Sequence, residues 1–130
     1  MLTDAPVIAI VPTTDIARAR EFYEGTLGLR DSGIPTPEPQ VVLYRCGDAT
    51  MLQVYERESA GDAPHTLVSW AVPDVRATVD GLRGRGVRFE EYDRPEFKTE
   101  DGVVTADGFA VAWFKDPDGN TLCVHSELPT

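Results

Sequence analysis

Cysteine and histidine are scarce in this chain, with two residues of each among 130. Cys46 and Cys123 lie far apart and form neither a CxxC pair nor the dense spacing of a disulfide-stapled secreted domain. We therefore interpret both as reduced thiols and expect a cytoplasmic protein. A domain of this size buries about two thirds of its unfolded surface, so folding needs neither disulfides nor a structural metal.

Positive charge and long apolar runs are also missing. The 12 Lys and Arg residues against 22 Asp and Glu give a formal net charge of −10, which disfavours phosphate backbones and anionic lipid as partners. No apolar run approaches the ~20 residues that cross a bilayer, and residues 1–6 lack the basic start of a signal peptide. We expect no nucleic acid and no membrane partner, whereas a neutral or cationic small molecule suits this charge.

The short motifs of several enzyme classes are absent. The chain contains no GxGxxG, Walker, GxSxG or HExxH sequence. Dinucleotide binding, phosphate cradling, an elbow nucleophile and a zincin site therefore have no support.

The sequence does contain an internal repeat of one strand–helix pattern. Each copy has a β-rich run, an aspartate placed to cap a helix, an apolar helical stripe and a closing glycine. The caps are Asp15 and Asp74, and the closing glycines are Gly28 and Gly86. β-patterned runs follow both helices, at 41–46, 50–55, 103–105, 109–114 and 121–126. The repetition indicates duplication of one unit that combines a βα pair with antiparallel strands.

A charged stretch at 88–101 interrupts the second half. Charge runs usually form a solvated surface, so a plain loop is one interpretation. The other is a lid over a ligand, because Tyr92 and Phe97 are interleaved with the charges. Both interpretations stay open at the level of sequence.

Three segments carry a family pattern: Glu21-Phe22-Tyr23-Glu24, Leu27-Gly28-Leu29 and Trp113-Phe114-Lys115-Asp116-Pro117-Asp118-Gly119-Asn120. They resemble the vicinal oxygen chelate superfamily, which includes glyoxalase I, the extradiol dioxygenases and the bleomycin-resistance binding proteins. The resemblance implies an α+β fold in which two βαβββ modules, 6–57 and 64–127, are joined by a polar linker in a single domain, 1–130. It also implies a cupped mixed sheet that holds the ligand, closed within one chain or across a homodimer, and we expect a homodimer.

Metal-dependent relatives hold a divalent ion with His and Glu side chains from the inner strands. The resemblance places these four positions at Ile8, Gln53, Leu67 and Cys123. None is His or Glu, so we expect no metal cofactor at the family positions.

A displaced metal site is the alternative. A shift of two residues along a strand preserves the face, which brings in His65 near Leu67, and His125 and Glu127 near Cys123. These donors suit a divalent ion such as Zn, Fe, Mn or Ni.

Five residues are candidates for ligand binding: Gln53, Tyr44, Trp70, Trp113 and Cys123. The family alignment and strand parity both point Gln53 into the cup, and aromatic rings are suited to bury flat ligand surface. The simpler reading is that the rings pack in the core and that Cys123 is an inert buried thiol. No catalytic residue is identified.

We predict a small-molecule binding protein of the bleomycin-resistance or glyoxalase-like type that sequesters a small aromatic or cationic ligand without a metal centre. The alternative is a divalent-metal-dependent lyase, isomerase or dioxygenase that acts on a substrate with vicinal oxygens. Bound metal distinguishes the two.

Overall fold

Two mixed β-sheets organise the chain, one in each of two units, Met1–Asp62 and Ala63–Thr130. The computed structural model describes residues 1–36, 40–61 and 64–128. Within these ranges, no helix combines the length and apolar character that crossing a membrane requires. The predicted α+β class is confirmed.

The first unit is a three-stranded sheet with one helix. β1 (Ile8–Thr13) leads into α1 (Ile16–Arg20), which continues as a π-helical segment (Glu21–Thr26). β2 (Val41–Cys46) and β3 (Thr50–Glu56) form a hairpin. The strand order is β1-β3-β2, so β3 has a parallel neighbour on one side and an antiparallel neighbour on the other.

The first helix begins where the sequence predicts and then widens. The Asp15 carboxylate accepts a hydrogen bond from the backbone N–H of Arg18 at 3.1 Å, which confirms the predicted cap. The periodicity did not predict the π-helical turn, in which the Leu27 N–H donates to the Phe22 carbonyl at 2.9 Å. This turn buries the ring of Tyr23.

The second unit repeats the arrangement with a fourth strand. Its elements are β4 (Thr66–Val72), α2 (Val75–Arg83), β5 (Val104–Ala106), β6 (Phe109–Lys115) and β7 (Thr121–Ser126). The order β4-β7-β6-β5 pairs β4 with β7 in parallel and β6 with both neighbours antiparallel. The Asp74 carboxylate caps α2 by accepting from the Ala77 N–H at 3.0 Å.

The turn between β6 and β7 explains the Asp-Pro-Asp-Gly-Asn motif. One carboxylate oxygen of Asp116 accepts from the backbone N–H groups of Asp118 and Asn120, both at 2.9 Å. The other accepts from the Asn120 side chain at 2.8 Å. Asp116 is buried, so this motif holds a strand connection in place rather than reaching towards solvent.

The described residues of the first unit form one strand fewer than the βαβββ module that the resemblance implies. Between its helix and β2, the described residues form only an isolated bridge from Asp31 to Tyr44. The sequence has prolines at positions 35, 37 and 39, and proline brings no N–H donor to a strand ladder.

Each sheet buries one face against its own helix, because α1 packs on β3 and α2 packs on β6 and β7. We call the opposite face of each sheet its open face. In the first sheet, a cross-strand row of Ile10, Gln53 and Leu43 lies on the open face. In the second sheet, the corresponding row is Ser69, Cys123 and Trp113.

Candidate functional site

An aromatic pocket lies on the open face of the second sheet. Trp113 of β6 packs with Tyr92 and Phe97, which come from the charged stretch, at ring-centroid distances of 5.5 Å for both partners. Tyr92 and Phe97 are 5.6 Å apart. A cavity of about 210 Å³ beside these rings is lined by Pro64, His65, Thr66, Tyr92, Arg94, Phe97, Trp113 and Thr121.

A small hairpin carries the two outer rings of the pocket. The Arg94 N–H donates to the Phe97 carbonyl at 2.9 Å, and the Phe97 N–H returns a bond to Arg94 at 3.2 Å. The buried Thr99 hydroxyl accepts from the Tyr92 N–H at 2.8 Å. The charged stretch is therefore an ordered hairpin that packs on the sheet, and the aromatic residues interleaved in it were the sequence signal for the pocket.

Polar groups at the pocket are held by specific bonds. The Trp113 Nε1 donates to the Thr66 hydroxyl at 3.0 Å, and the Lys115 ammonium donates to the Thr121 hydroxyl at 2.6 Å. The Arg94 guanidinium lies 5.1 Å from the centroid of the Tyr92 ring, within cation–π range. Burial raises the pKa of Tyr92, so its phenol stays neutral at physiological pH.

A cluster of three side chains, Ser69 of β4 with Cys123 and His125 of β7, lies on the same open face. Ser69 pairs with Cys123 across the two strands, and its hydroxyl is hydrogen-bonded to Nδ1 of His125. Burial raises the pKa of the Cys123 thiol, although a hydrogen bond from Ser69 opposes the shift. The thiol is 4% exposed. A protonated, buried thiol is a poor nucleophile, so this group is unsuited to thiolate chemistry at neutral pH.

The first unit has a pocket of its own around Gln53. Its volume is about 230 Å³, and it is lined by Pro35, Thr36, Val41, Leu43, Gln53, Tyr55 and Arg57. The Arg57 guanidinium lies 4.1 Å from the centroid of the Tyr55 ring. Gln53 thus lines a cavity, and its role in ligand binding stays a prediction.

Two of the predicted ligand-binding aromatics lie outside both cavities. Tyr44 is fully buried on the helix side of β2, where its hydroxyl donates to the Glu24 carboxylate at 2.9 Å. Trp70 stacks on Phe114, at 6.4 Å between ring centroids, on the helix side of the second sheet. Strand alternation therefore turns both rings away from the open faces, and neither lines the two cavities described above.

The residues at the family's metal positions do not fit a divalent ion. Ile8 and Leu67 carry no donor atom in their side chains. Gln53 offers a neutral amide, and the Cys123 thiol is buried and protonated. A site that relies on imidazole nitrogens and carboxylate oxygens therefore lacks its ligands at these positions.

The displaced metal site is not assembled either. The strand register shifts between Thr66 and Val68, so alternation cannot be counted from Leu67 back to His65. His65 lines the aromatic pocket together with Thr121, whereas His125 lies towards the other end of β7, roughly 13 Å further along by the strand rise. Glu127 lies exposed beyond β7. In the part of the chain that the structure describes, no three His, Cys, Asp or Glu side chains are close enough to hold a metal.

Comparison with known proteins settles the family. The model of the Glyoxalase/Bleomycin resistance protein/Dioxygenase superfamily matches residues 6–124. This chain belongs to that superfamily. The vicinal oxygen chelate resemblance is thereby confirmed for nearly the whole chain.

Solved structures share the superfamily fold. A glyoxalase/bleomycin resistance protein from Catenulispora acidiphila is 22% identical, with a TM-score of 0.65, and the match covers 95% of this chain and 98% of that one. A superfamily member from Sphaerobacter thermophilus is also 22% identical, with a TM-score of 0.69 and coverage of 98% and 100%. Oxidase ChaP-H2 is 20% identical, with a TM-score of 0.66 and coverage of 97% and 95%. No curated protein matches the chain.

Proposed function

We propose that this superfamily member is a small-molecule binding protein that holds a flat aromatic ligand in the aromatic pocket of its second unit. The observation that carries the proposal is the cluster of Tyr92, Phe97 and Trp113 beside a cavity of about 210 Å³. Small-molecule sites are concave, largely apolar and supplied with a few fixed polar groups. This pocket has such groups in the hydroxyls of Thr66 and Thr121, which are already oriented by Trp113 and Lys115.

An enzyme is the alternative within the same superfamily. The fold hosts several chemistries, and one structural neighbour is named an oxidase, so fold alone does not choose between them. A metal-dependent lyase, isomerase or dioxygenase would need donor atoms that Ile8 and Leu67 do not supply. His65 and His125 lie too far apart along β7 to share one ion, which argues against a displaced site.

Ligand binding is tested with a panel of two- and three-ring aromatic compounds of neutral, anionic and cationic charge. Compounds that raise the melting temperature are followed by isothermal titration calorimetry. The Trp113→Phe variant should bind them roughly three- to tenfold more weakly, because it loses indole contact area in the pocket. The matched variant Trp70→Phe, altered on the opposite face, should bind as the wild type does. If no compound binds at millimolar concentration, or if Trp113→Phe binds equally well, the proposal fails.

Metal content separates the two candidate functions. The protein is purified without a tag or chelators, and zinc, iron, manganese and nickel are quantified against protein concentration. We expect less than about a tenth of an equivalent, because the family positions lack suitable donors. A stoichiometric ion that survives dialysis would favour the enzyme. The homodimer stays a prediction, which light scattering on the same preparation tests.

A further inference from the structure

The charge lining the aromatic pocket is opposite in sign to the charge of the whole chain. The formal net charge is −10, which by itself favours a cationic ligand. Yet none of the described residues that line the pocket is acidic, and Arg94 and His65 are among them. Lys115 adds a further cation, because its ammonium is bonded to the pocket residue Thr121.

Arg94 is available to an anion. Its guanidinium lies over the rings of Tyr92 and Phe97, 5.1 and 5.8 Å from their centroids. Among the described residues, no carboxylate forms an ion pair with it. The adjacent Glu96 is exposed and does not line the pocket. A guanidinium that stacks on a pocket wall keeps its N–H donors free for a carboxylate.

The hydroxyl groups of Thr66 and Thr121 also favour a ligand that accepts hydrogen bonds. The Thr66 oxygen accepts from the Trp113 indole N–H, and the Thr121 oxygen accepts from Lys115. Each hydroxyl then has its own proton left to donate. A carboxylate accepts several hydrogen bonds, whereas an ammonium group only donates them.

Glu90 is an acidic residue whose charge acts on the pocket residue Tyr92. Together with burial, its charge raises the pKa of Tyr92, and the positive charge of Arg94 opposes this shift. Glu90 does not line the cavity, however, and the backbone N–H that it contributes is bonded to the Trp113 carbonyl. The local balance therefore stays positive at the wall that a ligand would touch.

We propose that the ligand of the aromatic pocket is an aromatic acid, a flat ring system that packs against Trp113 and Phe97 and carries a carboxylate held by Arg94. The inference rests on the proposed binding function and specifies the class of ligand. It replaces the cationic ligand that the net charge alone suggests. The hydroxyls of Thr66 and Thr121 serve as the second and third donors to the carboxylate.

The test compares three ligands of nearly the same shape: 2-naphthoate, neutral 2-naphthamide and cationic 2-naphthylmethylammonium. Their dissociation constants are measured by calorimetry in 50 mM salt. We expect 2-naphthoate to bind about tenfold more tightly than the amide, and the cation to bind most weakly. The preference should fall as salt rises to 500 mM, because screening weakens charge pairing at an accessible site.

Arg94→Met should abolish the preference for 2-naphthoate, so that the acid and the amide bind within about twofold of each other, since methionine keeps an apolar stem at the pocket wall but carries no charge. Arg76→Met, an exposed position on α2, is the matched control and should retain the preference. If Arg94→Met unfolds, Arg94→Lys takes its place and should keep part of the preference.

The outcomes separate the two proposals. Tighter or equal binding of the amide or the cation, with the loss of affinity still seen in Trp113→Phe, overturns the aromatic acid and leaves the binding function intact. An unchanged preference in Arg94→Met likewise overturns the inference. No binding of any of the three ligands counts against the pocket as a binding site altogether.

Discussion

Trp70 and Trp113 lie on opposite faces of the same four-stranded sheet. They pair with neighbouring residues of β7, Val124 and Cys123 respectively, and neighbouring residues of a strand face opposite sides. Trp70 stacks on Phe114 on the helix side of the sheet, whereas Trp113 meets Tyr92 edge-on and Phe97 at a tilt in the pocket. Both side chains are partly buried, but one packs against the helix side of the sheet and the other against the candidate site.

Replacing each tryptophan should therefore affect stability differently. We expect Trp70→Ala to lower the free energy of unfolding by about 2–4 kcal/mol, because it leaves a void against Phe114. Trp113→Phe should cost about 1 kcal/mol, since a ring remains against Tyr92 and Phe97 while the bond to Thr66 and part of the indole contact area are lost. Urea unfolding followed by far-UV circular dichroism measures both. A larger loss in Trp113→Phe would contradict the assignment of the two faces.

The buried pair Tyr44 and Glu24 predicts a loss of stability at high pH. Burial, helped by the hydrogen bond to Glu24, raises the pKa of Tyr44 far above its usual range. Above about pH 10, the unfolded chain releases the phenol proton and the folded chain keeps it. Stability from this group is therefore complete below pH 10 and falls at higher pH, by about 1.4 kcal/mol per pH unit.

Tyr44→Phe isolates this effect. At pH 7 the variant should be less stable than the wild type by about 1–2 kcal/mol, because the bond to Glu24 is gone. From pH 10 to 11.5 the difference should shrink, as only the wild type has this phenol to ionise on unfolding. Urea unfolding across the pH series measures it, and Tyr55→Phe, on the open face, is the control. A constant difference across the series would refute the argument.

Much of the fold was readable from local sequence. The caps Asp15 and Asp74 and the runs 41–46 and 121–126 are all in place, because capping and strand patterning depend on residues close in the chain. Among the described residues before β2, Pro35 disfavours a strand. No local sequence pattern predicts the π-helical turn. Its residues Tyr23 and Glu24 contact Tyr44 of β2, which is distant in the chain.

The candidate site was harder to predict because it depends on register. Placing Trp70 and Trp113 on the correct faces needs the pairing with β7, which periodicity does not supply. The bulge after Thr66 also changes which side chains of β4 face each side of the sheet, and no residue type in the sequence predicts it. Tyr92 and Phe97 were visible as interleaved aromatics, but their contact with Trp113 depends on a hairpin formed by backbone bonds.

The two cysteines should react at very different rates. Cys46 is half-buried at the end of β2, whereas Cys123 is 4% exposed and burial raises the pKa of its thiol. With Ellman's reagent at pH 7.5, we expect one fast thiol and one at least about tenfold slower. Cys46→Ser should remove the fast phase and Cys123→Ser the slow one. Both thiols should react at once in 6 M guanidinium, and a fast phase that survives in Cys46→Ser would contradict the burial of Cys123.

Gly102 and Gly108 share a backbone conformation but differ in the space around them. Both have left-handed backbone, with φ of +80° and +81°. A Cβ on Gly108 meets nothing within 4 Å, whereas one on Gly102 would lie 2.7 Å from Nη2 of Arg83 and 3.1 Å from the Cβ of Phe89. Gly108→Ala should thus cost only the backbone penalty of about 1–2 kcal/mol.

Gly102→Ala should cost about 1–2 kcal/mol more than Gly108→Ala. Its methyl group would displace Arg83, whose guanidinium donates to the Asp101 carbonyl at 2.9 Å and pairs with the Asp101 carboxylate at 3.2 Å. The Phe89 contact adds to this, because its Cβ is fixed to the backbone and cannot swing away. Urea unfolding of the two variants measures the difference, and equal losses would show that the space around Gly102 relaxes without cost.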